Sequence, residues 1–360
     1  MSTVMGKDSF LKIDQWGRML SIRKLFRVKR FKNSRYRHTV VSDSSLQWRL
    51  KDFPTDTLRS INYSGVRMGI ELGLVYKTAI VDGSGLWGKA YSSLGFTTKW
   101  SSIFLVDFEP IKKRGKELES SERLIRRAHE MFPGLVIEYL LTDALYFNNR
   151  FFALVEDGIV GHLVIKYTPD DMESAGRFRK IFEYFQELVF IYQKEKKTPN
   201  ERSLLSQMGF SQRRGKDNAR GVSYTIYFAR NNSYDNRFKI ALIEEQEEGK
   251  PPSRFFVITT DKEMEPEQMR IGGHRRWCIE NNGFKDLNRH IQSKRYWTHD
   301  QKVRLNLLLI QILAFSLINL FYKMKKYYFH KIYKTKKITL CFVVEILFSD
   351  PYLRSDWLDR

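Results

Sequence analysis

Two short apolar runs that each end in an aspartate constrain the fold of this chain most strongly. Asp82 follows the run 78–81, and Asp143 follows the run 137–142. Runs of this length and composition predict strands, so each aspartate is expected at the carboxyl end of a strand. Between them, apolar residues recur at helical spacing over 117–132. The order of elements predicts an α/β fold with a mixed sheet flanked by helices.

A third acidic residue lies in a segment with helical spacing. Arg276, Glu280, Phe284 and Asn288 are four residues apart and are expected to share one helical face. A cation one turn before a carboxylate orients that carboxylate or contacts a phosphate beside it. Two strand-end aspartates and a helical glutamate are hard oxygen ligands of the kind that Mg²⁺ prefers.

Three motifs carry a resemblance to a known family. They are Val81-Asp82-Gly83, Thr142-Asp143-Ala144-Leu145-Tyr146 and Arg276-Trp277-Cys278-Ile279-Glu280-Asn281. On these residues the chain, over roughly 42–321, resembles the DDE transposases of bacterial insertion sequences. The resemblance implies a ribonuclease H-like catalytic domain with an inserted β-rich subdomain.

One subgroup of that family carries the signature Tyr-x2-Arg-x3-Glu-x6-Lys. Arg276 and Glu280 match its arginine and glutamate. Gly273 stands at the tyrosine position, and Leu287 stands at the lysine position, or Asn288 if Gly283 is counted as one inserted residue. The chain therefore keeps part of the signature.

The resemblance implies an enzyme that binds the ends of a mobile element, cleaves the strands there and joins the 3′-hydroxyls to target DNA. Asp82, Asp143 and Glu280 would be catalytic and would bind two Mg²⁺ ions, which Mn²⁺ replaces. Asp82 would bridge both ions. The implied partners are double-stranded DNA, as terminal inverted repeats and target, and a second copy of the chain. The alternatives are a catalytically inactive DNA-binding remnant and a simple metal-dependent nuclease.

Each of these residues also has a purely structural interpretation. Asp82 precedes a glycine and suits a turn, and Asp143 suits the N-cap of a helix that begins at Ala144. Glu280 could be a surface partner of Arg276. Tyr146 either touches DNA near the site or packs in the core. Arg275 and Arg276 are expected to contact DNA.

The charge of the chain points to a polyanionic partner. The formal net charge is +21 and the pI is about 9.8, which favours nucleic acid. The first 40 residues are densely basic and include Arg27, Lys29 and Arg30, which are expected to bind DNA phosphates. The alternative is a solvated arm with no such role.

The changes in composition predict five segments. These are a basic arm (1–41), the first part of the catalytic core (42–167), a β-rich insertion (168–253), the rest of the core with the glutamate helix (254–322) and a basic aromatic tail (323–360). Strands are expected in the insertion at 222–229 and 237–243. The tail either binds nucleic acid or comes from an aberrant reading frame.

Cysteine usage and hydropathy suggest where the chain works. Cys278 and Cys341 are the only cysteines, so no zinc ribbon or disulfide framework is expected, and a reducing cytoplasm is compatible. The apolar run 305–321 is interrupted by polar residues. It predicts a buried core helix rather than a membrane span, with Leu309, Ile312 and neighbouring residues packed against the catalytic domain.

Overall fold

The computed structural model describes residues 43–86, 89–113, 115–131, 137–168, 179–230, 236–285, 287 and 299–333. The predicted basic arm, with Arg27, Lys29 and Arg30, lies outside the described residues. So does the tail after residue 333.

Two of the helices correspond to the segments predicted to be helical at 117–132 and 305–321. The helices are α1 (Asp43–Asp52), α2 (Thr55–Glu71), α3 (Glu117–Met131), α4 (Asn149–Glu156), α5 (Arg179–Gln193), α6 (Pro199–Gln207), α7 (Pro266–Arg275) and α8 (Gln301–Tyr333). A short 3₁₀ helix covers Ala144–Tyr146, and a π-helix covers Ile279–Phe284. Thr198 starts α6 with a capping box, in which its side chain and that of Glu201 bond to each other's backbone N–H.

The strands form one mixed sheet, as the alternation of elements predicts. They are β1 (Val75–Leu86), β2 (Lys89–Thr98), β3 (Ile103–Pro110), β4 (Ile137–Thr142), β5 (Val160–Tyr167), β6 (Phe210–Asp217), β7 (Val222–Ala229), β8 (Lys239–Glu247) and β9 (Ser253–Thr259). The nine strands lie in the order β3-β2-β1-β4-β5-β9-β8-β7-β6. β1, β4 and β5 are parallel neighbours, and the observed pairs on either side of them are antiparallel. The fold is therefore α/β.

The strands between Asp143 and Glu280 extend this sheet. β9 pairs with β5 on one side and with β8 on the other, and β7 and β6 follow outward. β7 has the predicted bounds. β6 and β2 were not predicted, because the alternation of apolar and polar residues in each is weak. A β-rich segment is present, joined to the core through backbone hydrogen bonds.

The interpretation of Asp82 as a turn residue is wrong, because β1 continues through Gly83, Ser84 and Gly85 to Leu86. Glycine is depleted in strands but not excluded, and it is retained where another group comes close to the backbone. At Gly83 the close group is the carboxyl of Glu117: a Cβ at residue 83 would lie 2.5 Å from the Glu117 Cδ atom.

The chain divides into two compact units. The first comprises the described parts of 1–76, 83–120 and 279–360, and the second comprises 77–82 and the described parts of 121–278. Helix α8 is the core of the first unit and packs on β3, α2 and α1. Leu309 and Ile312 have no exposed surface, as expected for a core helix.

Two of the polar residues within α8 donate hydrogen bonds in the protein interior, whereas the buried Gln311 amide makes no hydrogen bond with the described part of the chain. The Asn306 amide donates to the carbonyl oxygens of Leu50 and Phe53, at 2.7 and 2.9 Å. The Ser316 hydroxyl donates to the carbonyl oxygen of Leu105, at 3.2 Å. Over Gln301–Lys325 the helix is long and apolar enough to cross a membrane, and 56% of an apolar 18-residue stretch within it is buried inside the protein.

In the second unit, an aromatic cluster fixes α5 against β5. The Phe182 ring stacks on Tyr167 with centroids 4.4 Å apart and meets Phe256 at 5.0 Å. Phe147 lies beside the same pair, immediately after the 3₁₀ helix that follows Asp143. Large buried rings contribute strongly to stability through the apolar area they remove from water. The cluster therefore anchors the segment that carries Asp143.

Candidate active site

Two of the predicted site residues lie at the same edge of the sheet. β1 and β4 are parallel neighbours with Thr78 opposite Tyr139 and Ile80 opposite Leu141. Asp82 comes two residues after Ile80, and Asp143 comes two residues after Leu141. Because parallel strands present the same ends at the same edge, this register brings both carboxylates to one place.

A single guanidinium lies within reach of both carboxylates. Arg276 Nη1 is 3.6 Å from Asp82 Oδ2 and 3.9 Å from Asp143 Oδ2. The side chains of Arg276 and Asp82 are each only 11% exposed, while that of Asp143 is 34% exposed. Ion pairs in poorly solvated surroundings are screened less than surface pairs. The two aspartates therefore converge on a site that favours positive charge.

The two oxygens of Asp143 have separate partners. Oδ1 accepts a hydrogen bond from the backbone N–H of Leu145 at 3.0 Å and caps the 3₁₀ helix Ala144–Tyr146. Oδ2 is the oxygen that faces Arg276. The structural interpretation of Asp143 as an N-cap is confirmed. Capping uses Oδ1 and leaves Oδ2 facing the Arg276 guanidinium. The cap fixes the rotation of the carboxylate.

Arg276 lies at the end of α7, whose position is set by contacts with the sheet. The residue is the C-cap of the helix, with φ −51° and ψ −40°. On the same helix, Arg270 Nε lies 2.6 Å from Glu245 Oε1 of β8, and His274 Nε2 lies 2.8 Å from the same oxygen. Burial disfavours the charged carboxylate, but hydrogen bonds and charges from His274 and Arg270 outweigh it and lower the pKa of Glu245 to about 2.

Close packing around Gly273 leaves no room for a larger side chain at that position. A Cβ at residue 273 would lie 2.9 Å from Val257 Cγ2 and 3.3 Å from the Phe255 ring. At the preceding Gly272, a Cβ would lie 3.0 Å from Val164 Cγ1. The two glycines let α7 approach β5 and β9 closely, and a tyrosine at residue 273 would require the helix to move.

The segment around Glu280 differs from the predicted helix. Helix α7 ends at Arg275, and Glu280 lies in the first turn of the π-helix Ile279–Phe284, which belongs to the first unit. A π-helix is bonded from i to i+5, so the predicted α-helical face shared by Arg276, Glu280 and Phe284 is wrong. Asn288 lies outside the described residues.

Close packing on β3 accompanies the π-helix. A Cβ at Gly283 would lie 3.1 Å from Ile103 Cγ2, and the Asn282 amide donates to the Ser101 carbonyl oxygen at 2.8 Å.

Glu280 itself is half-buried. Within the described ranges, no group of three His, Cys, Asp or Glu side chains is close enough to hold a metal ion. Asp82 and Asp143 nevertheless have the donor chemistry that Mg²⁺ requires.

The remaining predicted residues near the site fall into different environments. Tyr146 has no exposed surface: its hydroxyl lies 3.1 Å from Ser121 Oγ, and its ring meets Phe151 edge-on at 4.8 Å. Of its two interpretations, the structure favours packing. Arg275 is half-buried in the last turn of α7 and lines a cavity of about 320 Å³ with Thr78 and Tyr139.

Three features near the site were not predicted from the sequence. Trp277, the residue after Arg276, is 40% exposed. The Lys166 ammonium lies 3.6 Å from the centre of the Trp277 ring and 4.2 Å from that of Phe255. Glu117 was not selected, although its carboxyl packs against the backbone of Gly83, the residue after Asp82. In the sequence, the only indication of this contact is that a glycine, Gly83, directly follows Asp82.

Comparisons with known proteins do not assign the chain to a family. No protein-family model matches the sequence, and no curated protein matches it. The chain is similar to a solved structure described as a piggyBac transposase synaptic complex with hairpin DNA, with a TM-score of 0.41 and 10% sequence identity. That likeness covers 96% of this chain and 78% of the other. At this level of similarity, the function has to be argued from the residues of the site.

Proposed function

We propose that this protein is a DNA transposase that cleaves strands at the ends of its element and transfers them to target DNA with the help of Mg²⁺. One observation carries the proposal. Asp82 and Asp143, from neighbouring parallel strands, converge on a single cationic group in a chain of net charge +21. Carboxylates that share one positive centre are suited to a divalent cation.

In this proposal the acidic residues are the metal ligands. Asp82 would help to hold two ions, Asp143 would help to hold one of them and Glu280 the other. Two Mg²⁺ ions, when bound, supply the charge that activates the attacking water or 3′-hydroxyl and stabilises the leaving oxygen. Mn²⁺ would replace Mg²⁺. The low exposure of Asp82 limits access of bulk water to the carboxylate and strengthens its attraction for positive charge.

The basic residues would bind the DNA. Arg276 lies beside the two aspartates, where a phosphate of the cleaved strand would be placed, and Arg275 precedes it as the last residue of α7. Arg27, Lys29 and Arg30 of the N-terminal arm would add sequence-independent contacts to the backbone. We further propose that the protein works in the cytoplasm as a homodimer on DNA, with terminal inverted repeats and target DNA as its substrates.

A strand-cleavage assay on DNA that flanks the gene tests this function. Matching inverted repeats in that DNA define the substrate, and end-labelled duplexes carrying one repeat report nicking and joining. The proposal expects cleavage and strand transfer that require Mg²⁺ or Mn²⁺ and the Asp82 carboxylate. Binding without cleavage in either metal would indicate the inactive remnant. Cleavage without joining, on any sequence, would indicate a nuclease.

A further inference from the structure

We propose that Arg276 is a positioning residue that acts as an internal counter-ion. It holds Asp82 and Asp143 together in the metal-free protein and competes with the divalent cation for the same carboxylates. The inference rests on the proposed function, since it concerns how the metal reaches its ligands. It gives Arg276 a role that precedes any contact with DNA.

The geometry supports a counter-ion role. One nitrogen atom, Arg276 Nη1, lies within 4 Å of a carboxylate oxygen from each aspartate, at 3.6 and 3.9 Å. Two carboxylates this close to one point repel each other unless a positive charge lies between them. The 11% exposure of both Arg276 and Asp82 means that water screens this repulsion only partly. Arg276 therefore offsets a charge conflict that the parallel register of β1 and β4 creates.

The position of Arg276 is fixed because the helix that precedes it is held against the sheet. Its backbone is the C-cap of α7, and two residues of that helix, Arg270 and His274, bond the buried Glu245 of β8. The close approach of the helix to β9 at Gly273 adds a second constraint. Because α7 is held in place, the Arg276 backbone lies at a fixed position near the aspartates. This lowers the entropic cost of holding the guanidinium there.

A divalent cation and the guanidinium cannot both occupy the point between the carboxylates. Taken together, the two carboxylates and Arg276 carry a formal charge of −1. Two positive charges from a metal ion neutralise the pair, and the guanidinium is then repelled. It remains a planar donor suited to phosphate. Metal binding would therefore favour phosphate binding by Arg276, and phosphate binding would favour metal binding to the same extent.

Mn²⁺ binding to the full-length protein tests the competition directly. Isothermal titration calorimetry would compare wild type, Arg276→Gln and Arg276→Lys, with Arg179→Gln as the control that removes one positive charge from an exposed arginine of α5. We expect Arg276→Gln to bind Mn²⁺ about 5- to 150-fold more tightly than wild type, the usual size of coupling between two binding events. Arg276→Lys should lie between the two, and Arg179→Gln should stay within about twofold of wild type.

A folded Arg276→Gln protein that binds Mn²⁺ no more tightly than wild type would overturn the inference. An Asp82→Asn variant separates this failure from that of the proposed function. If wild type binds no Mn²⁺, or if Asp82→Asn binds it as well as wild type, the metal site itself is wrong. If binding depends on Asp82 but not on Arg276, only the counter-ion role is wrong.

A measurement on the wild-type protein covers the case in which Arg276→Gln does not fold. Arginine Nε–Hε NMR signals can be followed during titration with diamagnetic Mg²⁺, with the Arg276 signal assigned from its loss in Arg276→Lys. The counter-ion role expects that signal to shift as Mg²⁺ saturates the site. A signal that stays in place while Mg²⁺ binds would show that the guanidinium does not leave the aspartates.

Discussion

Arg270 Nε lies 2.6 Å from Glu245 Oε1, in a buried ion pair that joins α7 to β8. The side chains are 7% and 6% exposed, and His274 bonds the same carboxylate oxygen. Glu245 lies on one of the strands predicted to form an insertion, and α7 carries Arg276 at its end. The strands between Asp143 and Glu280 therefore help to hold the helix that reaches the two aspartates.

The Glu245 carboxylate should make stability fall in acid. Its folded-state pKa, about 2, is lower than the ordinary value of 4.5, so the stabilisation is complete above pH 4.5 and is lost as pH falls toward 2. The loss between pH 7 and pH 3 should be on the order of 2 kcal/mol. Urea unfolding at pH 7, 5, 4 and 3 measures it.

Glu245→Gln should be less stable at pH 7 and should lose this part of the acid dependence. Glu244→Gln is a matched control on the neighbouring residue of the strand, where Glu244 pairs with the exposed Arg254. An acid dependence of equal size in both variants would show that Glu245 is not its source.

Asp82→Asn should abolish strand cleavage while leaving DNA binding nearly intact. The amide keeps the shape of the side chain but loses the negative charge that a metal ligand needs. We expect cleavage to fall by about a thousandfold or more, since removal of a group central to the chemistry has effects of this size. Single-turnover cleavage of a labelled element end and a gel-shift titration report the two properties. Equal loss of binding and cleavage would point to misfolding instead.

Gly161→Ala should destabilise the fold because a Cβ there would lie 2.7 Å from the Glu138 carbonyl oxygen. That oxygen belongs to the backbone of the neighbouring strand β4, so a strand must shift, which typically costs about 1–3 kcal/mol. Gly85→Ala is the control in β1, where a Cβ would meet nothing within 4 Å. Chemical denaturation would compare the two. Similar stabilities for both variants would contradict the close approach of the β4 backbone to Gly161.

Leu309→Ala should lower the stability of the first unit by about 2–5 kcal/mol, the usual cost of truncating a fully buried leucine. Leu309 has no exposed surface, whereas Leu317 of the same helix is 48% exposed, so Leu317→Ala should cost little. Urea unfolding measures both.

The untagged protein should also stay out of the carbonate-resistant membrane fraction. Its recovery there would mean that α8 crosses a membrane.

Neutralising Arg27, Lys29 and Arg30 together should weaken DNA binding on every sequence. Each lost phosphate contact should reduce the steepness of the log affinity against log salt plot by about 0.9. Fluorescence anisotropy with random-sequence and element-end duplexes at several salt concentrations measures this slope. An unchanged slope would show that the arm does not touch the DNA backbone.

The sequence by itself determined the elements whose patterns are local. Strand Val222–Ala229 and helix Glu117–Met131 follow from β-branched and aromatic enrichment in one and from helical spacing in the other. The core character of α8 followed from its interrupted apolar run. These predictions succeed because each depends on residues that are neighbours in the chain.

Only the tertiary structure decided which residues meet across long separations in sequence. It placed Arg276 against Asp82 and Asp143, continued β1 through Gly83 past Glu117, and turned the Glu280 segment into a π-helix. In each case the local conformation depends on a residue from another helix or strand. The charge and volume of that residue cannot be read from the neighbouring sequence. Burial and charge pairing are set by the whole fold, and for that reason the role of Arg276 as a bridge between two aspartates could not be predicted from its spacing to Glu280.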